Sequence, residues 1–133
     1  MLKFYNQIIE KNSIGNEIKW INKFIPDDEV STYFSASDLV VLPYLSASQS
    51  GIIPLAYSYQ KPVVASDIKG IKEMILEGKT GYLFEKNNAK ILSEKIEKFF
   101  KNEKDYSLEI EKFRERFSWD EFSEKIQLLY GSL

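Results

Sequence analysis

Residues 38–67, DLVVLPYLSASQSGIIPLAYSYQKPVVASD, decide the fold. Leu39-Val40-Val41-Leu42 is an unbroken apolar run opened by Asp38 and closed by Pro43. Such a run reads as a strand of a parallel sheet covered on both faces, because a half-exposed strand would alternate apolar and polar residues. Ser46 to Ser50 form a small polar loop, and Gly51 to Tyr59 read as a short apolar helix whose first turn tolerates Pro54. Pro62-Val63-Val64-Ala65 is a second buried strand. Strand, loop, helix and strand in this order make one parallel crossover unit.

The same alternation continues outward. Phe4, Tyr5, Ile8 and Ile9 recur at helical spacing over residues 3–11, and Asn12-Ser13-Ile14-Gly15-Asn16 stops that helix. A short strand is expected over residues 18–21. Pro26-Asp27-Asp28-Glu29 opens the next helix, its acids suited to the free N–H groups there, with Val30, Tyr33 and Phe34 as the buried stripe. After Gly70 a helix of one or two turns is expected over residues 71–76. Gly78-Lys79-Thr80-Gly81 then turns the chain into a strand at Tyr82-Leu83-Phe84. Residues 89–100 form a helix with Leu92, Ile96 and Phe99 on one face, and another begins near Tyr106 with Leu108, Ile110 and Phe113. Ser118-Trp119-Asp120-Glu121 fits a capping box that starts a last helix ending near Tyr130.

The expected fold is α/β: a Rossmann-like parallel sheet flanked by helices, with further helices at the C-terminus, in a single domain over residues 1–133. A doubly wound sheet usually begins with a strand, whereas this chain opens in a helix, so the sheet is expected to lack its first strand.

The 133 residues, 44% hydrophobic and 14% aromatic, suit one core. A net charge of −2 leaves no whole-chain electrostatic footprint for nucleic acid. With no cysteine and no histidine, disulfides, thiolate chemistry and the commonest general base are excluded. No apolar stretch approaches the ~18 residues of a membrane span. The expected setting is cytoplasmic, with a membrane-associated acceptor in view. No cofactor and no metal is expected. Asp27-Asp28-Glu29 is contiguous at a helix start and not spaced as ligands. Gly78-Lys79-Thr80 imitates the end of a phosphate-binding loop, but the motif's earlier glycine falls on Glu73 and the run leads from helix to strand, the reverse of what that loop needs.

Ligands of open parallel sheets bind outside the carboxyl ends of the strands. The first loop to consider there is Ser46 to Ile52. A helix start aims backbone N–H groups at the rim, a diphosphate suits them, and Gly51 permits close approach while Ser48 and Ser50 offer hydroxyls. Its plain alternative is a capped turn of small residues. The second, Ser66 to Glu73, offers Lys69, Gly70 and Glu73 as candidates, with Gly70 suited to a positive φ. Here too the alternatives are structural: solvated lysines and a glutamate that caps a neighbouring loop.

In order and spacing these segments resemble the C-terminal domain of the group 1 (family 4) retaining glycosyltransferases of the GT-B fold. The resemblance rests on the runs Asn22 to Val30, Tyr33 to Tyr44, Gln49 to Ala56, Lys61 to Asp67, Gly70 to Glu73 and Gly78 to Leu83, and it extends from about Ile18 to Phe100 with Phe117-Ser118-Trp119 beyond. It implies a donor-binding half of an enzyme that moves a sugar from a nucleoside diphosphate sugar to a glycan or lipid-linked acceptor. The donor phosphates and sugar would lie on Ser48, Gln49, Ser50, Gly51 and Ile52, and the nucleobase along Asn22, Lys23, Phe24 and Ile25. No catalytic residue is assigned. The acceptor-binding N-terminal domain would be the missing partner, and the chain alone is expected to be inactive.

The chain departs from the family pattern in two places. The two glutamates that many members carry eight positions apart fall on Ala47 and Leu55, or on Ser48 and Ala56, and Lys69 stands where glycine is usual. Two other readings stay open: a non-catalytic nucleotide-binding or interaction remnant, and half of a nucleotide-sugar epimerase.

Overall fold

The computed structural model describes residues 2–116 and 126–129. The chain forms two compact units, residues 1–30 and residues 31–133.

In the first unit, α1 spans Leu2–Lys11, with Lys11 in its last turn, where a cation complements the free carbonyls. The Asn12 amide donates to the Ile8 carbonyl at 2.8 Å and Ser13 turns at φ +56, which ends the helix. Tyr5 packs against Trp20 with ring centroids 5.3 Å apart. The expected strand over residues 18–21 does not form; the segment has no regular structure. A strand exists only through a neighbour that takes its ladder hydrogen bonds, and among the described residues nothing pairs with it.

α2 spans Asp27–Ala36, beginning in the first unit and ending in the second. The Pro26 carbonyl accepts the N–H groups of Glu29 and Val30, and Asp27, Asp28 and Glu29 occupy the first turn as expected.

In the second unit three parallel strands, β1 (Val40–Leu42), β2 (Val63–Ser66) and β3 (Gly81–Phe84), lie in the order β1-β2-β3. Val40, Val41 and Leu42 face Val63, Val64 and Ala65, which in turn face Gly81, Tyr82 and Leu83. α3 (Ile52–Ser58) connects β1 to β2, while α4 (Ala89–Lys101) and α5 (Ser107–Glu115) follow β3. Asn88 caps α4, its side-chain oxygen accepting the Ile91 N–H. Residues 126–129 are helical; the Ser118 to Glu121 capping box and the remainder of the expected last helix lie outside the described residues.

Every residue of β2 is buried, as an apolar run in a parallel sheet requires. β1 is only half-buried at all three positions, contrary to the covered strand its composition suggests. Among the described residues it pairs with β2 alone. The core gathers Val63, Val64 and Ala65 with Ile53, Ala56 and Tyr57 of α3, Ile71, Ile75, Tyr82, Phe84 and, from the α5 region, Tyr106, Ile110 and Phe113. Each large side chain so buried contributes roughly 1.5–3 kcal/mol. Close approach of β3 to β2 depends on Gly81, where a Cβ would sit 1.8 Å from the Val63 carbonyl oxygen.

The helix expected over residues 71–76 shrinks to one 3₁₀ turn, Lys72–Met74. Ile75 is extended, and Glu77 forms a parallel bridge to Gly81, so the chain must straighten before it can turn into β3.

Candidate functional site

Parallel strands deliver their following loops to a single rim. The loop after β1 and the loop after β2 meet there at Gly70. This residue sits at φ +89, and a Cβ on it would fall 2.0 Å from the Ser48 carbonyl oxygen. Only glycine satisfies both conditions, so the two loops are locked backbone to backbone.

Between them lies a cavity of about 590 Å³ lined by Ser46, Ala47, Ser48, Lys69, Gly70 and Glu73. Four candidates from two loops therefore share one space: Ser48, Lys69, Gly70 and Glu73. Ser46 and Ala47 join them; their membership in the rim loop was the signal for them. Lys69 and Glu73 are exposed, and among the described residues neither forms an ion pair. A cation and an anion thus stand on the same wall, both available to a ligand.

The tip of α3 is arranged differently. Ser50 is only 6% exposed. Its hydroxyl accepts the Ile52 N–H at 3.2 Å and lies 3.2 Å from the Tyr44 hydroxyl. Both the Ser50 side chain and the Ile52 N–H are thereby spent on closing the turn. Pro54 has no N–H to offer. Among the described residues the N–H groups of Gly51 and Ile53 have no partner. Gly51 has helical φ and open space around it, so nothing in the protein demands glycine there. Gln49 is exposed, and Gln49, Ser50, Gly51 and Ile52 stand beside the cavity without lining it.

Asn22, Lys23, Phe24 and Ile25 belong to the first unit. Phe24 is 84% exposed, and Lys23 approaches Glu29 at 3.9 Å.

A buried hydroxyl marks the carboxyl end of β2. Ser66 is wholly inaccessible, and its Oγ has no hydrogen-bond partner among the described residues. The Gly78-Lys79-Thr80 run is a structural turn: Gly78 has φ +77, and buried Thr80 accepts the Leu76 N–H through Oγ1 at 2.9 Å. The Tyr57 hydroxyl lies 2.8 Å from both Thr80 Oγ1 and the Met74 carbonyl oxygen. Burial pushes that hydroxyl up to about 12, partly countered by the Thr80 hydrogen bond.

A second cavity, of about 440 Å³, is lined by Ile53, Pro54, Tyr57, Met74 and Phe113 with Glu111, Arg114 and Glu115 at its edge. Arg114 and Glu111 pair there at 3.1 Å.

An open parallel sheet with helices between its strands and two interlocked loops at its carboxyl rim defines a Rossmann-like domain. The family model of the glycosyl transferases group 1 matches residues 1–118, and the chain belongs to that family. It is 28% identical over 134 residues to an uncharacterized glycosyltransferase of Methanocaldococcus jannaschii, covering 98% of this chain and 37% of that protein. A D-inositol 3-phosphate glycosyltransferase of Corynebacterium urealyticum is 26% identical over 137 residues, covering 98% of this chain and 31% of that one. The chain thus spans about a third of the length of these relatives. Among solved structures, HepE of Anabaena in complex with UDP superposes with a TM-score of 0.82 at 22% identity, covering 99% of this chain and 37% of HepE. Sucrose-phosphate synthase of Thermosynechococcus elongatus superposes with a TM-score of 0.78 at 19% identity, covering 98% of this chain and 33% of that protein. The fold is that of a GT-B C-terminal domain. Among the described residues no helix is long and apolar enough to cross a membrane.

Proposed function

We propose that this chain is the donor side of a retaining glycosyltransferase, holding a nucleoside diphosphate sugar at the rim of its sheet for transfer to a glycan or lipid-linked acceptor. The supporting observation is the cavity shared by Ser48, Lys69, Gly70 and Glu73, fixed by the contact between Gly70 and the Ser48 carbonyl. HepE, which shares the fold, is known in complexes with UDP and with UDP-glucose. As the bond between sugar and phosphate breaks, negative charge grows on the leaving diphosphate. The Lys69 ammonium and the Gly51 N–H, which has no partner among the described residues, are the donors offered to that charge. Ser48, Gln49, Ser50 and Ile52 shape the turn that presents the Gly51 N–H. The acceptor is held by a second domain, so the chain alone completes no transfer.

Calorimetric titration of the chain with UDP, ADP and GDP tests this reading. Measurable binding of at least one, weakened by added salt, is expected. Absence of binding to all three instead favours a remnant without a nucleotide site.

A further inference from the structure

The helix α1 has 10 residues and buries none of them. At about 100° per residue, Leu2, Phe4, Tyr5, Ile8 and Ile9 fall in one half of its circumference, and its charged residues all fall in the other. A helix so short is marginal in water by itself; in proteins its stability comes from packing such a face. Within the first unit Tyr5 meets Trp20, whose ring is itself 47% exposed. Of the fifteen large apolar side chains exposed among the described residues, eight lie within residues 2–24. Apolar exposure concentrated in this way marks an interface, whereas scattered single residues do not.

We infer that the apolar face of α1, together with Trp20, is a docking surface for polypeptide: the part of a group 1 glycosyl transferase that lies beyond the third this chain matches. The family model takes in residues 1–118, so α1 is a piece of the shared domain and not an appendage. HepE superposes over 99% of this chain, yet the match accounts for only 37% of HepE, so most of that molecule stands outside it and is there to cover the helix. Residues 2–24 carry four lysines against two glutamates, which fits a covering surface that is apolar at its centre and acidic at its edge. A second copy of this chain would set the same lysines against each other. A lipid surface would satisfy the charge but is not called for by a helix that the family fold itself contains.

Hydrogen exchange tests this on the chain alone and mixed with one probe, the part of the Methanocaldococcus jannaschii relative that this chain does not match, made as a separate polypeptide. Alone, the chain is expected to be a monomer by light scattering, with the amides of residues 2–11 exchanging near the unstructured rate while those of β2 are protected. With the probe, a one-to-one complex and exchange about tenfold slower or more over residues 2–11 are expected. Ile8→Glu abolishes both effects, whereas Gln7→Glu, which adds the same charge on the polar half of the helix, keeps them. Protection of β2 in each variant confirms that the fold is intact. Protection of residues 2–11 in the monomer overturns the inference, since the face would then need no cover. So do a homodimer that Ile8→Glu dissolves, protection by phosphatidylglycerol vesicles but not by the probe, and absence of a complex with the probe. None of these outcomes touches the nucleotide titrations, so the donor-site reading stands or falls separately.

Discussion

One cavity lies between the loops that follow β1 and β2 and another lies against the short helix α3, and their linings differ in character. On one side Ser46, Ala47, Ser48, Lys69, Gly70 and Glu73 enclose a polar space whose two charges have no ion pair among the described residues. On the other, Ile53, Pro54, Tyr57, Met74 and Phe113 form an apolar wall with Glu111, Arg114 and Glu115 beside it, Arg114 and Glu111 pairing with each other. The proposed nucleotide site falls on the first side, while the second is apolar packing around Tyr57 and Phe113, whose rings meet edge-on.

The largest effect expected is that of Gly70→Val. Positive φ and a backbone clash at Ser48 act together, so a loss of roughly 3 kcal/mol and loss of nucleotide binding are expected in urea unfolding and calorimetry. Unchanged affinity in a folded Gly70→Val variant breaks the claim that the locked loops make the site.

Next is Tyr57→Phe, on the apolar side, which leaves the Met74 carbonyl without its hydroxyl partner and costs about 2 kcal/mol with nucleotide affinity unaltered. Tyr57 also sharpens the contrast through pH. Its folded value of about 12 exceeds the ordinary tyrosine value of about 10, so the neutral form is favoured by folding. Its contribution is full below pH 10 and is lost as pH climbs to about 12, because the unfolded chain ionises first. The fall in thermal midpoint between these pH values should be shallower in Tyr57→Phe; parallel profiles would remove Tyr57 from the account.

Smallest is Lys69→Ala. Lys69 is exposed, so about 1 kcal/mol of binding, roughly fivefold in Kd, is expected, with stability within ~0.5 kcal/mol of the unaltered chain. A stability loss larger than the affinity loss would mean that the polar side is also a packing surface.

The strands at residues 40–42, 63–66 and 81–84 were legible because apolar runs bounded by proline and glycine can satisfy themselves only inside a sheet. Residues 18–21 carry similar apolar content but depend on a neighbour that composition does not reveal. The 71–76 segment reads as helix in its side chains, yet the chain is already extended at Ile75 and bridges from Glu77 to Gly81. For the site, chain order alone brought both rim loops into view, and a glycine between two lysines, Lys69 and Lys72, hinted at the left-handed turn found at Gly70. The inward turn of Ser50 was not legible, since it follows from Tyr44 across the loop and from the Ile52 N–H. Nor does composition separate a Ser66 hydroxyl without a partner from an ordinary strand-end serine.

The place of β1 at the end of the strand order has a colloidal consequence. Among the described residues only β2 pairs with β1, and a strand at the end of a sheet is a template on which another extended chain can zip, the route by which sheet proteins clump at high concentration. Three residues give such a zipper little grip, and Pro43, which cannot donate to it, ends it at once. Brevity there acts as a guard against precipitation.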